Sequence, residues 1–162
     1  MKCFSTDNFL LNEFNFDNIE HLLLLEKVIH SSDSELISKD IRNYISRNSE
    51  LNKKDHITNT FVVEKDNLMI GLAFLNYHPE ESRVNELLKE EIEIGLGLLD
   101  EFRGSGFGSL FENEFSNLLL NIYPQFNEVI ARIDNNNIKS IKSAEKAGFI
   151  HKKNDEYIFK RK

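Results

Sequence analysis

Three of the seven glycines in this chain fall within one hexapeptide, Arg103-Gly104-Ser105-Gly106-Phe107-Gly108, and none precedes Gly71. The hexapeptide follows a strand-like run, Ile92 to Leu98, and opens a helix-like run, Phe107 to Asn121. Glycine concentrated at such a junction marks backbone that takes φ > 0 or comes close to another group. It also makes a ready anion site, because unpaired N–H groups and the positive end of the helix dipole point outward together.

The rest of the chain can be read outward from that turn. Phe9 to Phe14 is a first strand. Asp17-Asn18-Ile19-Glu20 has the spacing of a capping box, with Ile19, Leu22, Leu23 and Glu26 following at helical spacing. Ser32-Asp33-Ser34-Glu35 repeats the start signal, and Leu36, Ile37, Ile41, Tyr44 and Ile45 form one stripe. Ile57–Glu64 and Leu68–Asn76 read as a hairpin across Lys65-Asp66-Asn67, and His78 to Glu90 as a polar connection. Glu91 to Leu98 is a strand. The helix after the glycine turn directs Phe107, Phe111, Phe115, Leu118, Leu119 and Ile122 to a core. Glu128–Ile133 is a strand, Asn137–Lys146 a helix stopped by Gly148, and Phe149–Lys152 with Tyr157–Lys160 a closing hairpin. The order β-α-α-β-β-β-α-β-α-β-β predicts an α/β fold in which a mixed, mainly antiparallel, twisted sheet is flanked by helices, with one parallel crossover around the glycine turn.

Length and composition agree with one soluble domain spanning residues 1–162, at 40% hydrophobic and 29% charged residues. No apolar run nears the ~18 residues of a membrane span, and no basic-then-apolar leader opens the chain. The lone Cys3 excludes an intrachain disulfide, and the expected compartment is the cytoplasm. The net charge of −7 argues against a nucleic-acid partner. Charge is uneven: His78–Glu101 carries eight acids against Arg83 and Lys89, and Lys139–Lys162 carries eight bases against Glu145, Asp155 and Glu156. Either block reads as a solvated face. The functional reading is an acidic mouth for a cationic substrate and a basic rim for an anionic cofactor. The five histidines show no metal-ligand spacing.

Two familiar phosphate loops fit the turn poorly. A P-loop needs a Lys after its last glycine. A dinucleotide fingerprint needs its third glycine one position later, after a strand free of carboxylates. The segment Glu93 to Gly108 instead resembles motif A of the GNAT superfamily of N-acetyltransferases, with Arg103, Gly106 and Gly108 at its defining positions. Downstream, Asn137-Ile138-Lys139-Ser140 and Ala144-Glu145-Lys146-Ala147-Gly148-Phe149 resemble that family's motif B, most like members that acetylate ribosomal-protein N-termini. The element order matches the same fold.

The resemblance implies acetyl-CoA as co-substrate and, as acceptor, a small-molecule amine or a peptide N-terminus; homodimers are frequent in that family. It places the pyrophosphate on the amides of Gly104, Ser105, Gly106, Phe107 and Gly108, with charged donors from Arg103. It places the pantetheine arm along the main chain of Gly97 and Leu98, with Asn137 and Ser140 touching from the other side. Asn137 reads equally as a plain helix cap. Strand parity sets Ile92, Ile94, Leu96 and Leu98 on a core face and Glu91, Glu93, Gly95 and Gly97 on a polar one. Glu93, ten residues before Arg103, stands where several relatives carry the glutamate that deprotonates the amine, with Glu91 in reserve. Its other reading is a structural carboxylate, or one that only attracts a cation. The tyrosine that protonates the departing thiolate in many GNAT enzymes is replaced by Ala144. A non-catalytic acyl-CoA-binding module is the alternative, and an NAD-dependent redox enzyme is disfavoured by the glycine spacing.

Overall fold

In the computed structural model, residues 3–30, 57–78 and 91–162 are described. Three-residue β1 (Cys3–Ser5) pairs with β2 (Leu10–Glu13), which pairs in turn with β3 (Ile57–Lys65). β1 is absent from the sequence reading. It is too short to show a period, and it is held by Phe4, whose ring packs edge-on against Phe61 and Phe115 at 5.3 and 6.1 Å. β3 turns into β4 (Leu68–His78) through Asp66 and Asn67 alone. Both have positive φ, 51° and 64°, as a two-residue primed turn requires. The expected second helix, residues 32–45, and most of the polar connection after His78 lie outside the described residues.

The sheet has eight strands in the order β1-β2-β3-β4-β5-β6-β8-β7. β5 is Glu91–Leu98, β6 Glu128–Arg132, β7 Ile150–Lys153 and β8 Glu156–Lys160. Every adjacent pair is antiparallel except β5 and β6, which are parallel and joined through helix α2 (Phe107–Ile122). This is the predicted architecture: a mostly antiparallel sheet with one crossover, flanked by helices.

Each sheet face has its own core. Ile92, Ile94 and Leu98 of β5 lie with Phe111, Phe115 and Leu119 of α2 and Ala144 and Ala147 of α3 (Ile138–Ala147). Ile122, assigned to this core by its spacing, is 42% exposed at the end of α2. On the opposite face α1 (Ile19–Ile29) packs Leu24 and Val28 against Leu72 and Phe74 of β4. This corrects the stripe read from sequence: Ile19 and Leu23 are exposed. The run Leu22–Leu25 suits either helical face, and the aromatic and aliphatic side chains of β4 decide between them. The α1 cap is Asn18, one residue later than the box suggests. Its side chain accepts from the amides of Glu20 and His21. Gly148 ends α3 as expected, with φ 108°, its own amide donating to the Glu145 carbonyl and that of Phe149 to the Ala144 carbonyl.

Candidate functional site

The glycine turn leaves β5 through a short 3₁₀ turn, Asp100–Phe102. Gly104 and Gly106 hold φ of 72° and 85°, the left-handed region that other residues occupy only at a cost. The Ser105 hydroxyl donates to the Phe102 carbonyl at 2.6 Å, which pins the turn. The first hydrogen bond into α2 runs from the Leu110 amide to the Gly106 carbonyl, at 3.2 Å. Among the described residues the amides from Gly104 to Gly108 have no acceptor. A Cβ at Gly104 or Gly106 would meet nothing within 4 Å. The turn is therefore an open row of donors at a helix start, the arrangement that stabilises a phosphate.

Gly108 is small for a different reason from the one the motif suggests. A Cβ there would stand 2.9 Å from the Ser143 hydroxyl, so this glycine lets α2 approach α3. Arg103 is likewise turned inward. Its Nε donates to the Leu98 carbonyl at 3.1 Å, Nη1 lies 3.5 Å from Asp100, and its amide bonds to the Asp100 carbonyl. The charged donors expected on a phosphate thus brace the turn, and the Leu98 carbonyl is taken. Asn137 accepts from the Ser140 amide at 3.3 Å, so its side-chain oxygen serves as the helix cap.

β5 follows the predicted parity from Glu91 to Gly95; beyond it Leu96 is only partly buried and Gly97, expected on the open face, is buried. β4 and β5 stay in register from Gly71↔Leu98 to His78↔Glu91 without a bulge, so Gly95 and Gly97 mark no kink. Towards β6 the pairing is reduced to one position, Glu93↔Ile130. From Gly95 to Leu98, β5 has a registered partner on β4 only. Glu93 sits at that last shared position, with a side chain only 14% exposed. The polar face is therefore less open there than parity alone implies. Arg132 Nη1 lies 2.6 Å from the Glu93 carboxylate and Nη2 lies 3.0 Å from that of Glu91. Burial raises the Glu93 pKa, and this outweighs Arg132 and the Asn76 hydrogen bond, which pull it down; Glu91 adds a small upward push.

A second carboxyl stands behind the turn. Glu112, one helical turn beyond Gly108, accepts from the Ser143 hydroxyl at 2.9 Å. Burial pushes its pKa up from 4.5 to about 8, opposed only by that hydrogen bond. The folded form thus favours the proton more than the unfolded chain does. Its stability benefit is complete below pH 4.5 and is lost as pH rises through about 8. Glu112→Gln is therefore expected to flatten the fall in stability between pH 5 and pH 9 and to raise stability at pH 9 by about 2 kcal/mol. A fully enclosed carboxyl would give more, but this side chain keeps partial solvent contact. Urea unfolding at the two pH values measures it.

The sequence reading missed Arg132, Asn76 and Glu112. Asn76 registers with Glu93 across β4 and β5, and Arg132 shares a face of β6 with Ile130. Neither neighbourhood is readable before the strands are paired. Glu112 carried a faint signal as a carboxylate one turn after Gly108, but its partner lies 31 residues away.

No curated protein matches the sequence. Solved structures do match the fold. An aminoglycoside acetyltransferase, AAC(6')-Ib with coenzyme A, is 16% identical, with a TM-score of 0.68 over 94% of this chain and 95% of that one. Campylobacter jejuni N-acetyltransferase PseH with acetyl coenzyme A is 18% identical, with a TM-score of 0.58 over 95% and 99%. A Salmonella typhimurium acetyl transferase that modifies the N-terminal serine of ribosomal protein L7/L12 is 15% identical, with a TM-score of 0.63 over 97% of each chain. The model of the acetyltransferase (GNAT) domain matches residues 20–150, a span that holds the glycine turn, the parting strands and the Asn137 helix together. The chain belongs to the GNAT acetyltransferase family.

Proposed function

We propose that this protein transfers an acetyl group from acetyl-CoA to a primary amine in a ternary complex, with Glu93 as general base. The observation that carries the reading is the acceptor-free row of amides from Gly104 to Gly108 at the start of α2. That row suits the diphosphate of coenzyme A, a ligand present in relatives of the same fold. Acetyl-CoA would supply the acyl carbon as a thioester, and the other tasks fall to the chain itself.

An alkylammonium has no lone pair, so it must lose a proton before it can attack. Glu93 stands at the last position shared by β5 and β6, and burial raises its pKa towards neutrality. Both properties suit a base that takes a proton from an ammonium. Such groups contribute ~10²–10⁴-fold in rate. At the position of the missing tyrosine, Ala144 is fully buried and has no proton to give, so in this reading water can protonate the thiolate. The acidic side chains of β5 favour a cationic acceptor, either a small polyamine-like molecule or a peptide N-terminus. Relatives of the same fold include an aminoglycoside acetyltransferase and one that modifies an N-terminal serine.

Arg132 on Glu93, together with Ala144, favours a second reading, an acyl-CoA-binding module without transfer. Thermal unfolding with CoA, acetyl-CoA and NAD, followed by CoA release with a panel of amines, separates the readings. The first two ligands are expected to stabilise the fold by ~2.7 kcal/mol at 100 times their Kd, and NAD not at all. Binding without release to any amine supports the module. Stabilisation by NAD alone overturns both readings.

A further inference from the structure

We infer that Arg132 is a positioning residue for acyl transfer: its guanidinium spans the parting strands β5 and β6 and fixes the Glu93 carboxylate where the two strands separate. The inference rests on the proposed role of Glu93 as base.

The geometry sets this ion pair apart from a surface contact. Glu93 registers with Ile130, so a continued parallel register would put Arg132 level with Gly95, which has no side chain to meet. Arg132 instead turns back along the sheet and gives one nitrogen to each carboxylate, at 2.6 Å to Glu93 and 3.0 Å to Glu91. The bridge forms where registered pairing between the two strands stops. Two separate N–H···O contacts hold the fork in one orientation, as a planar guanidinium can and an ammonium cannot.

The charges around Glu93 come from three strands. β4 brings the neutral Asn76, β5 brings Glu91 and β6 brings Arg132. Further out, Glu156 of β8 registers with Arg132, and Glu128 of β6 is paired with Lys152 of β7 at 3.0 Å. Among the described residues, Arg132 is the cation that acts on the Glu93 carboxylate. Without it, a nearly covered carboxylate beside Glu91 would hold its proton to higher pH. Its range as a base would then move to higher pH.

The test is made on the free protein. Carboxyl ¹³C NMR of glutamate-labelled protein, with the Glu93 signal assigned through Glu93→Gln, follows its titration in wild type, Arg132→Gln and Arg132→Lys. The midpoint is expected to rise by about one pH unit or more in Arg132→Gln and by less in Arg132→Lys. CoA affinity by calorimetry should stay within about twofold in both, since the glycine turn is untouched. With the best acceptor from the amine panel, the acidic limb of kcat/KM should move up with the midpoint. On that acidic limb Arg132→Gln should be about tenfold slower for each pH unit the midpoint moves, and recover at alkaline pH. An unmoved midpoint, or a uniform loss of CoA affinity, overturns the inference and leaves Arg132 a structural residue. A midpoint that moves while Glu93→Gln still transfers acetyl at the wild-type rate overturns the base assignment instead, with the ion pair intact.

Discussion

Gly106→Val is expected to abolish coenzyme A binding while leaving the protein folded. Gly106 has φ 85° and open space around its Cβ direction. Valine therefore meets no clash within the protein, and its cost to the fold is backbone strain of roughly 1–3 kcal/mol. The loss at the site is larger. The new isopropyl group projects beside the free amides of Gly104 to Gly108, and relief of the strain would turn those amides away from a common point. Losing two or three charge-assisted hydrogen bonds, each worth about 1.5–3 kcal/mol, raises the Kd by at least about 100-fold. Calorimetry with CoA reads the affinity, and thermal unfolding without ligand reads the fold. Wild-type affinity in Gly106→Val would remove the diphosphate from this turn and the acetyl-CoA reading with it.

The second large effect is expected from Glu93→Gln, with kcat lower by about 10²–10³-fold and CoA affinity unchanged. Glutamine keeps the shape and can still accept from Arg132 and Asn76, but it cannot hold a proton taken from an ammonium. The effect should shrink as pH approaches the pKa of the acceptor, where free amine is already abundant. Stability should change little, because Arg132 retains Glu91 at 3.0 Å. Initial rates across pH with a fixed amine measure both features. Full activity in Glu93→Gln at neutral pH would show that neither the basicity nor the charge of the carboxylate is needed, and would leave Glu93 a structural residue.

Much of the frame was legible because it rests on local rules. Alternating residues from Glu91 to Leu98 placed a strand whose bounds match the structure and whose faces match it from Glu91 to Gly95. The Phe107-Phe111-Phe115 spacing placed α2 and its buried side. Where local rules were ambiguous, the reading slipped. Four consecutive leucines fit either stripe of α1, and three residues were too few to announce β1. At the site, the directions of side chains are set by tertiary contacts that local rules do not show. Arg103 was expected to face a phosphate and instead binds the Leu98 carbonyl and Asp100. Gly108, expected as a cofactor contact, is also the place where α2 meets Ser143.

What the sequence alone determined about this protein is the donor row. Two glycines able to take positive φ, just ahead of a helix, put a row of amides at its start that the helix itself cannot satisfy. What only the tertiary structure decided is the company of the carboxylates. Glu93 meets Arg132 39 positions further along the chain, and Glu112 meets Ser143 31 positions further along. Those pairs form because strand pairing and helix packing bring remote segments together, and burial then gives each contact an energy that no local pattern encodes.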